Sequence, residues 1–280
     1  MFQPRRFLFQ NIPFRAKSVL FIRILAVAGL LIAAAASIAQ TRRVVAIAHR
    51  GEHLRHPENT LPAFEEAIRL GADFIEVDVQ TSADGELVLS HDATVDRCTN
   101  GHGRISGMTF AQLESLDAGS RTGPAFAGTR IPTFDRVLNL ARGRIGVYVD
   151  VKNASARDVV AHIDAQGMTE NVVVYCGPDL AREIRQRNPR LKVMPESTSV
   201  EHSRILIETL HPAVIAFGSR DFTPEIVAVV KHANALVYVD RMGLTDTPEG
   251  WQSAIDAGAD GIQTDRPGEL VQYLRERKYR

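Results

Sequence analysis

From residue 44 onward, short apolar runs rich in Val and Ile alternate with longer stretches whose apolar positions return every three or four residues. The first pattern has the period of a strand and the second that of a helix. Strands are predicted at 44–49, 74–79, 145–151, 172–176, 192–194, 213–217, 236–239 and 261–264, with helices at 61–70, 154–166, 178–187, 224–233 and 250–257 among those between them. Strict alternation of this kind argues for parallel β/α units. A ninth strand, 86–90, follows the second with no room for a helix, and Asp84-Gly85 between them is a two-residue hairpin signal. It should run antiparallel, leaving eight strands for a closed α/β (β/α)8 TIM barrel. With Asp84 and Gly85 as the central turn residues, His91 would face Asp78. Residues 96–135 hold six glycines and one short helical pattern at 109–116, so they read as a loop-rich insertion expected to lie over the barrel mouth.

The first 39 residues have a different pattern. Arg5, Arg6, Arg15, Lys17 and Arg23 precede an uncharged apolar run, 24–39, that ends in Ser-Ile-Ala. That is the layout of a secretory signal cut near Ala39, and the run is shorter than the ~20 residues a membrane span needs. The expectation is an exported protein, periplasmic or secreted, with no stable membrane span after cleavage. Removing that segment changes the charge, because it holds five of the 33 basic residues and none of the 33 acidic ones. Residues 40–280 then carry a net charge of −5 with histidines neutral, and no basic tract points to nucleic acid. Their length suits one barrel. Two cysteines, Cys98 and Cys176, supply neither a thiolate metal site nor a disulfide framework, and the sequence leaves open whether they pair.

Barrel enzymes carry their reactive groups at the C-terminal ends of the strands. His49-Arg50 ends the first strand, Glu76 and Asp78 the second, and Asp150 and Lys152 the strand after the insertion. Residues two apart on a strand share a face, so three carboxylates and a lysine converge on one mouth. Carboxylates supply the hard oxygens a divalent cation takes, and histidine, present here as His49 and His91, is the residue type suited to proton transfer at neutral pH. Taken singly, each of these is as common on a solvated rim. Together they suit the cutting of a phosphate ester. The remaining histidines, His53 and His56 among them, read as structural or surface residues.

The motifs HRG, PENT, GADFIEVDVQTSADGELVLSHD and GADGIQTDRP together resemble the glycerophosphodiester phosphodiesterase family from His49 to about Asp265. The resemblance implies a barrel of the phospholipase-C-like phosphodiesterase type and one divalent cation, Ca2+ or Mg2+. It implies Glu76, Asp78 and Asp150 as metal ligands, His49 and His91 as the acid–base pair, and Arg50 and Lys152 on the phosphate. Its reaction is hydrolysis of a small-molecule glycerophosphodiester to glycerol 3-phosphate and an alcohol. By the logic of the residues, Glu58 either braces Arg50 or approaches the metal, while Asn59 and Thr60 are placed to cap the following helix. Gly51 lets the backbone turn close to the phosphate.

Two departures bear on this. The third carboxylate is Asp150 where the family commonly has a glutamate, and the late strand lacks a tryptophan, leaving Tyr238 or Arg241 to line the pocket. Three rival readings follow. A lysophospholipase D or phosphoinositol-type diesterase would use Met108, Phe110 and Phe126 as an apolar lip. A catalytically weakened head-group binder would follow from the shortened Asp150. A Schiff-base aldolase would use Lys152 but leave the histidines and acids unexplained.

Overall fold

The computed structural model describes residues 42–280; the signal-peptide reading, 1–39, lies outside the described residues. The strands are β1 (Val45–Ala48), β2 (Phe74–Thr81), β3 (Leu87–Leu89), β4 (Gly146–Asn153), β5 (Val172–Tyr175), β6 (Lys192–Met194), β7 (Val214–Phe217), β8 (Leu236–Asp240) and β9 (Gly261–Thr264). Eight run parallel in the order β6-β5-β4-β2-β1-β9-β8-β7, and β3 pairs off this path with β2. The ring closes between the β6 exit and β7, where Ala216 N donates to Pro195 O and Ser197 N to Ala216 O, each at 3.0 Å.

The helices are α1 (Leu61–Leu70), α2 (Phe110–Ser115), α3 (Phe134–Ala141), α4 (Ala156–Ala165), α5 (Pro178–Arg187), α6 (Val200–Leu210), α7 (Pro224–His232), α8 (Pro248–Ala257) and α9 (Pro267–Glu276). α2 belongs to the insertion, and each of the other eight follows one barrel strand. Among the described residues no helix is long and apolar enough to cross a membrane.

Alternation along each strand divides the core into two layers. Ile47, Tyr148, Val173, Met194, Val214, Ala216 and Tyr238 pack inside the barrel. Their neighbours, such as Ile75, Val77, Val147, Val149, Val237 and Ile262, face outward onto the helices. Large inward side chains stand opposite glycines: a Cβ on Gly146 would come within 2.5 Å of the Phe74 ring, and one on Gly261 within 2.6 Å of Tyr238. Tyr238 is thus spent on filling the interior floor and does not line a pocket at the mouth.

The hairpin forms, but its register differs from expectation by one residue. Val79 pairs with Leu89, so Ser90 stands opposite Asp78 and its N–H donates to Asp78 O at 2.9 Å. The reason is the turn, which encloses three residues, Ala83 to Gly85. Ser82 N donates to Glu86 O, and Gly85, at φ 91°, takes the left-handed position of a bulged hairpin. His91 therefore lies beyond the strand, where the chain turns back toward the mouth.

The insertion ends earlier than expected, because Thr133 caps α3 by accepting from Arg136 N. It has its own small core of Val88, Val95, Ile105, Leu113, Ala118 and Ile131, against which Met108 and Phe110 pack. Phe126 packs edge-on against His56. The three residues available for an apolar lip are therefore already packed against protein. Cys98 and Cys176 are both free thiols.

Candidate active site

The β1–α1 connection turns sharply as it leaves the barrel. Arg50 and Asn59 both take left-handed backbone (φ 53° and 55°), conformations costly for residues with a Cβ. Gly51, at φ 82°, lies so close to α1 that a Cβ would meet the Ala63 backbone at 2.7 Å. Hydrogen bonds hold the strained turn: Arg50 N donates to Glu76 Oε2 (2.8 Å) and Asn59 N to Arg50 O (3.1 Å). Asn59 does not cap α1. Its amide donates to Asp78 Oδ2 (2.6 Å), its carbonyl accepts from Asp78 N (3.1 Å), and Thr60 turns its hydroxyl to Pro57 O.

Glu76, Asp78 and Asp150 converge as the spacing predicts, since Asp78 and Asp150 pair across β2 and β4. One oxygen from each lies within 4.8 Å of the others. Burial first, and then the charges of Asp78 and Asp150, push the Glu76 carboxyl well above its ordinary range. Burial likewise raises Asp150 despite its ion pair with Lys152. Two buried carboxylates and a half-buried third repel one another, and nearby positive charge comes from Lys152 and Arg50. Lys152 Nζ lies 2.6 Å from Asp150 Oδ2 and 3.2 Å from Asp78 Oδ1, and Arg50 Nε, buried without a hydrogen bond, lies 3.4 Å from Asp78 Oδ2. This all-oxygen donor set fits a hard divalent cation. Burial works against the Lys152 charge, yet Asp78 and Asp150 raise it, opposite to what a Schiff-base lysine needs.

The two histidines sit in different surroundings. His49 Nδ1 lies 2.7 Å from Asp265 Oδ1, at the end of β9, and burial takes its imidazole below the ordinary 6.5 although Asp265 opposes this. Asp265 is itself held by backbone donation from Gly243 N (3.3 Å), while its own N–H donates to Asp246 Oδ2 (2.7 Å). His53, expected to be structural, packs edge-on against His49 and reaches Asp265 Oδ1 at 3.6 Å. His91 is more open, and its Nδ1 lies 2.8 Å from Asp92 Oδ1.

Glu58 braces Arg50, as one of its two expected roles had it, and accepts from Arg50 Nη1 at 3.1 Å. It also accepts two hydrogen bonds from Arg97 at 2.6 and 2.8 Å. Burial would raise the Glu58 carboxyl, but these two guanidinium groups hold it at about 2. Across the mouth, Arg241 does not line the pocket: its guanidinium donates to Gly250 O and Asp240 O and stacks on Phe222. Asp240 faces inward instead. Burial, Glu196 and Asp150 raise its carboxyl to about 7.

Asp265, Arg97 and Asp240 were not singled out from the sequence. Asp265 lay within a quoted motif, and Asp240 follows the same strand-end rule that marked Asp150.

A sequence profile of the Glycerophosphoryl diester phosphodiesterase family matches residues 49–269. The chain belongs to this family. A glycerophosphodiester phosphodiesterase of Caldanaerobacter subterraneus is 34% identical over 248 residues, covering 84% of this chain and 99% of the relative. The fold matches a crystal structure of a glycerophosphodiester phosphodiesterase from Agrobacterium tumefaciens with TM-score 0.74 at 28% identity, over 82% of this chain and 99% of that one. An Oleispira antarctica phosphodiesterase, solved with the product sn-glycerol-3-phosphate, matches in fold with TM-score 0.76 at 22% identity, over 82% of this chain and 96% of that one. Both family and fold thus agree with a (β/α)8 barrel hydrolase of phosphoric diesters.

Proposed function

We propose that this enzyme hydrolyses glycerophosphodiesters to glycerol 3-phosphate and an alcohol, with one divalent cation, Ca2+ or Mg2+, held by Glu76, Asp78 and Asp150. The observation that carries the metal reading is the close carboxylate trio, two of its members buried, whose mutual repulsion a divalent cation relieves. When bound, the ion supplies Lewis-acid polarisation of the phosphoryl oxygens. Arg50 and Lys152 add cationic groups for the non-bridging oxygens as charge develops.

The histidines divide the proton transfers. His49 is the base: with Nδ1–H donated to Asp265, its Nε2 lone pair is free, and burial keeps the ring neutral. It takes the proton of the attacking hydroxyl, either water, which gives glycerol 3-phosphate directly, or the glycerol 2-hydroxyl, whose cyclic phosphate water must then open. His91, tied through Nδ1 to Asp92, returns a proton to the departing alkoxide. The shortened Asp150 still meets Glu76 and Asp78, which favours an active enzyme over a head-group binder. An assay of glycerol 3-phosphate release from a panel of glycerophosphodiesters, with each metal restored after chelation, tests the reading. Binding of the diesters without release would sink it.

A further inference from the structure

Arg97 stands at the start of the insertion, outside the residues assigned to chemistry. Its guanidinium forks onto two carboxylates at once. Nη1 and Nη2 donate to Glu58 Oε2 and Oε1 (2.6 and 2.8 Å), while Nε and Nη2 donate to Asp92 Oδ2 and Oδ1 (2.6 and 3.2 Å). Each carboxylate holds one working side chain, since Glu58 accepts from Arg50 and Asp92 binds His91 Nδ1. Arg97 is the member common to the phosphate-side arginine and the second histidine, which lie on separate loops. We propose that Arg97 is a positioning residue that sets Arg50 and His91 relative to each other across the barrel mouth; the proposal rests on the roles given to those two above.

The local chain is built to keep Arg97 still. Its neighbours at two residues' distance, Val95 and Thr99, are both 1% exposed. Val95 N donates to Gly103 O, Thr99 Oγ1 to Val95 O, and Arg121 Nε to Thr99 O. Only a planar fork can serve two carboxylates in this way, so lysine is a poor substitute.

The test compares Arg97→Ala, Arg97→Lys, Glu58→Gln and the Arg97→Ala/Glu58→Gln double variant with the wild type, in saturating Ca2+ or Mg2+, using glycerophosphocholine. Thermal midpoints and calorimetric binding of sn-glycerol 3-phosphate are read on the same samples. Arg97→Ala should lose roughly 10- to 100-fold in kcat/KM, the usual cost of removing an outer partner of a working group. Arg97→Lys should recover only part of this, millimolar guanidinium should restore activity to Arg97→Ala, and the double variant should lose less than the product of the single losses. Product affinity should fall in Arg97→Ala, because the Glu58 carboxylate that meets Arg50 is no longer fixed from its other side. Activity and product affinity within twofold of wild type, or a loss that follows a lowered thermal midpoint and ignores guanidinium, would overturn the proposal. Should the wild type release no glycerol 3-phosphate, the hydrolytic reading fails while the affinity comparison still judges Arg97.

Discussion

His49 Nδ1 and Asp265 Oδ1, 216 residues apart in sequence, lie 2.7 Å apart where β1 and β9 run side by side. The carboxylate fixes the tautomer that leaves Nε2 free to accept a proton. Asp265→Asn should lower kcat by roughly 100-fold or more, as loss of acid–base catalysis does. Metal affinity, measured by calorimetry, should stay unchanged. Equal turnover in the variant would remove Asp265 from the mechanism.

The same pair sets the pH dependence. Burial depresses the His49 imidazole, so the base stays deprotonated to lower pH than an ordinary histidine would. Activity should fall on the acid side with a midpoint below 6.5 in a kcat/KM profile taken at saturating metal. Asp265 opposes the depression, so the residual activity of Asp265→Asn should fall at still lower pH. A midpoint above 6.5 in the wild type would contradict His49 as the base.

The carboxylate trio predicts a conflict between stability and function. A carboxyl whose folded pKa is raised weakens the fold as pH rises through and beyond its unfolded value, 4.5 for Glu76. Chelated protein at pH 7 should therefore gain on the order of 1 kcal/mol from Glu76→Gln, seen in denaturant unfolding, while losing activity and the stabilisation by added Ca2+ or Mg2+. If chelation left wild-type turnover intact, Glu76, Asp78 and Asp150 would cease to be metal ligands.

Gly51 tests the strained turn. An alanine there would have to hold φ near 82° and displace the Ala63 backbone from 2.7 Å. Gly51→Ala should cost about 1–3 kcal/mol in stability. Because the turn carries both His49 and Arg50, kcat should drop by more than the unfolded fraction explains; turnover in proportion to folded protein would show that the site tolerates the shift.

Much of this was legible in the sequence because barrel strands expose their ends to one mouth: His49, Glu76, Asp78, Asp150 and Lys152 all meet there. His91 was found for a partly wrong reason, since a bulged three-residue turn shifts the register and Ser90 takes the place opposite Asp78. Turn type depends on backbone dihedrals that Asp-Gly alone does not fix. Asp265 escaped because its partner His49 lies 216 residues away, and Arg97 because one of the two carboxylates it joins, Glu58, lies 39 residues away. Asn59 had the residue type of a helix cap, but Asp78 offered it a buried partner on both sides of its amide. Tyr238 and Arg241 were assigned by proximity to a strand end; Tyr238 does face inward but fills the floor, Asp240 two residues on takes the inward place at the mouth, and Arg241 points the other way.

The pairing of β1 with β9 has a consequence for how the enzyme comes into being. His49, the proposed base, arrives with the first strand made and Asp265 with the last, so no chain still on the ribosome before Asp265 emerges can hold the finished pair. Competence would then report that the first and last strands have met: molecules cut before Asp265 should fall to the level of Asp265→Asn even with every proposed metal ligand in place.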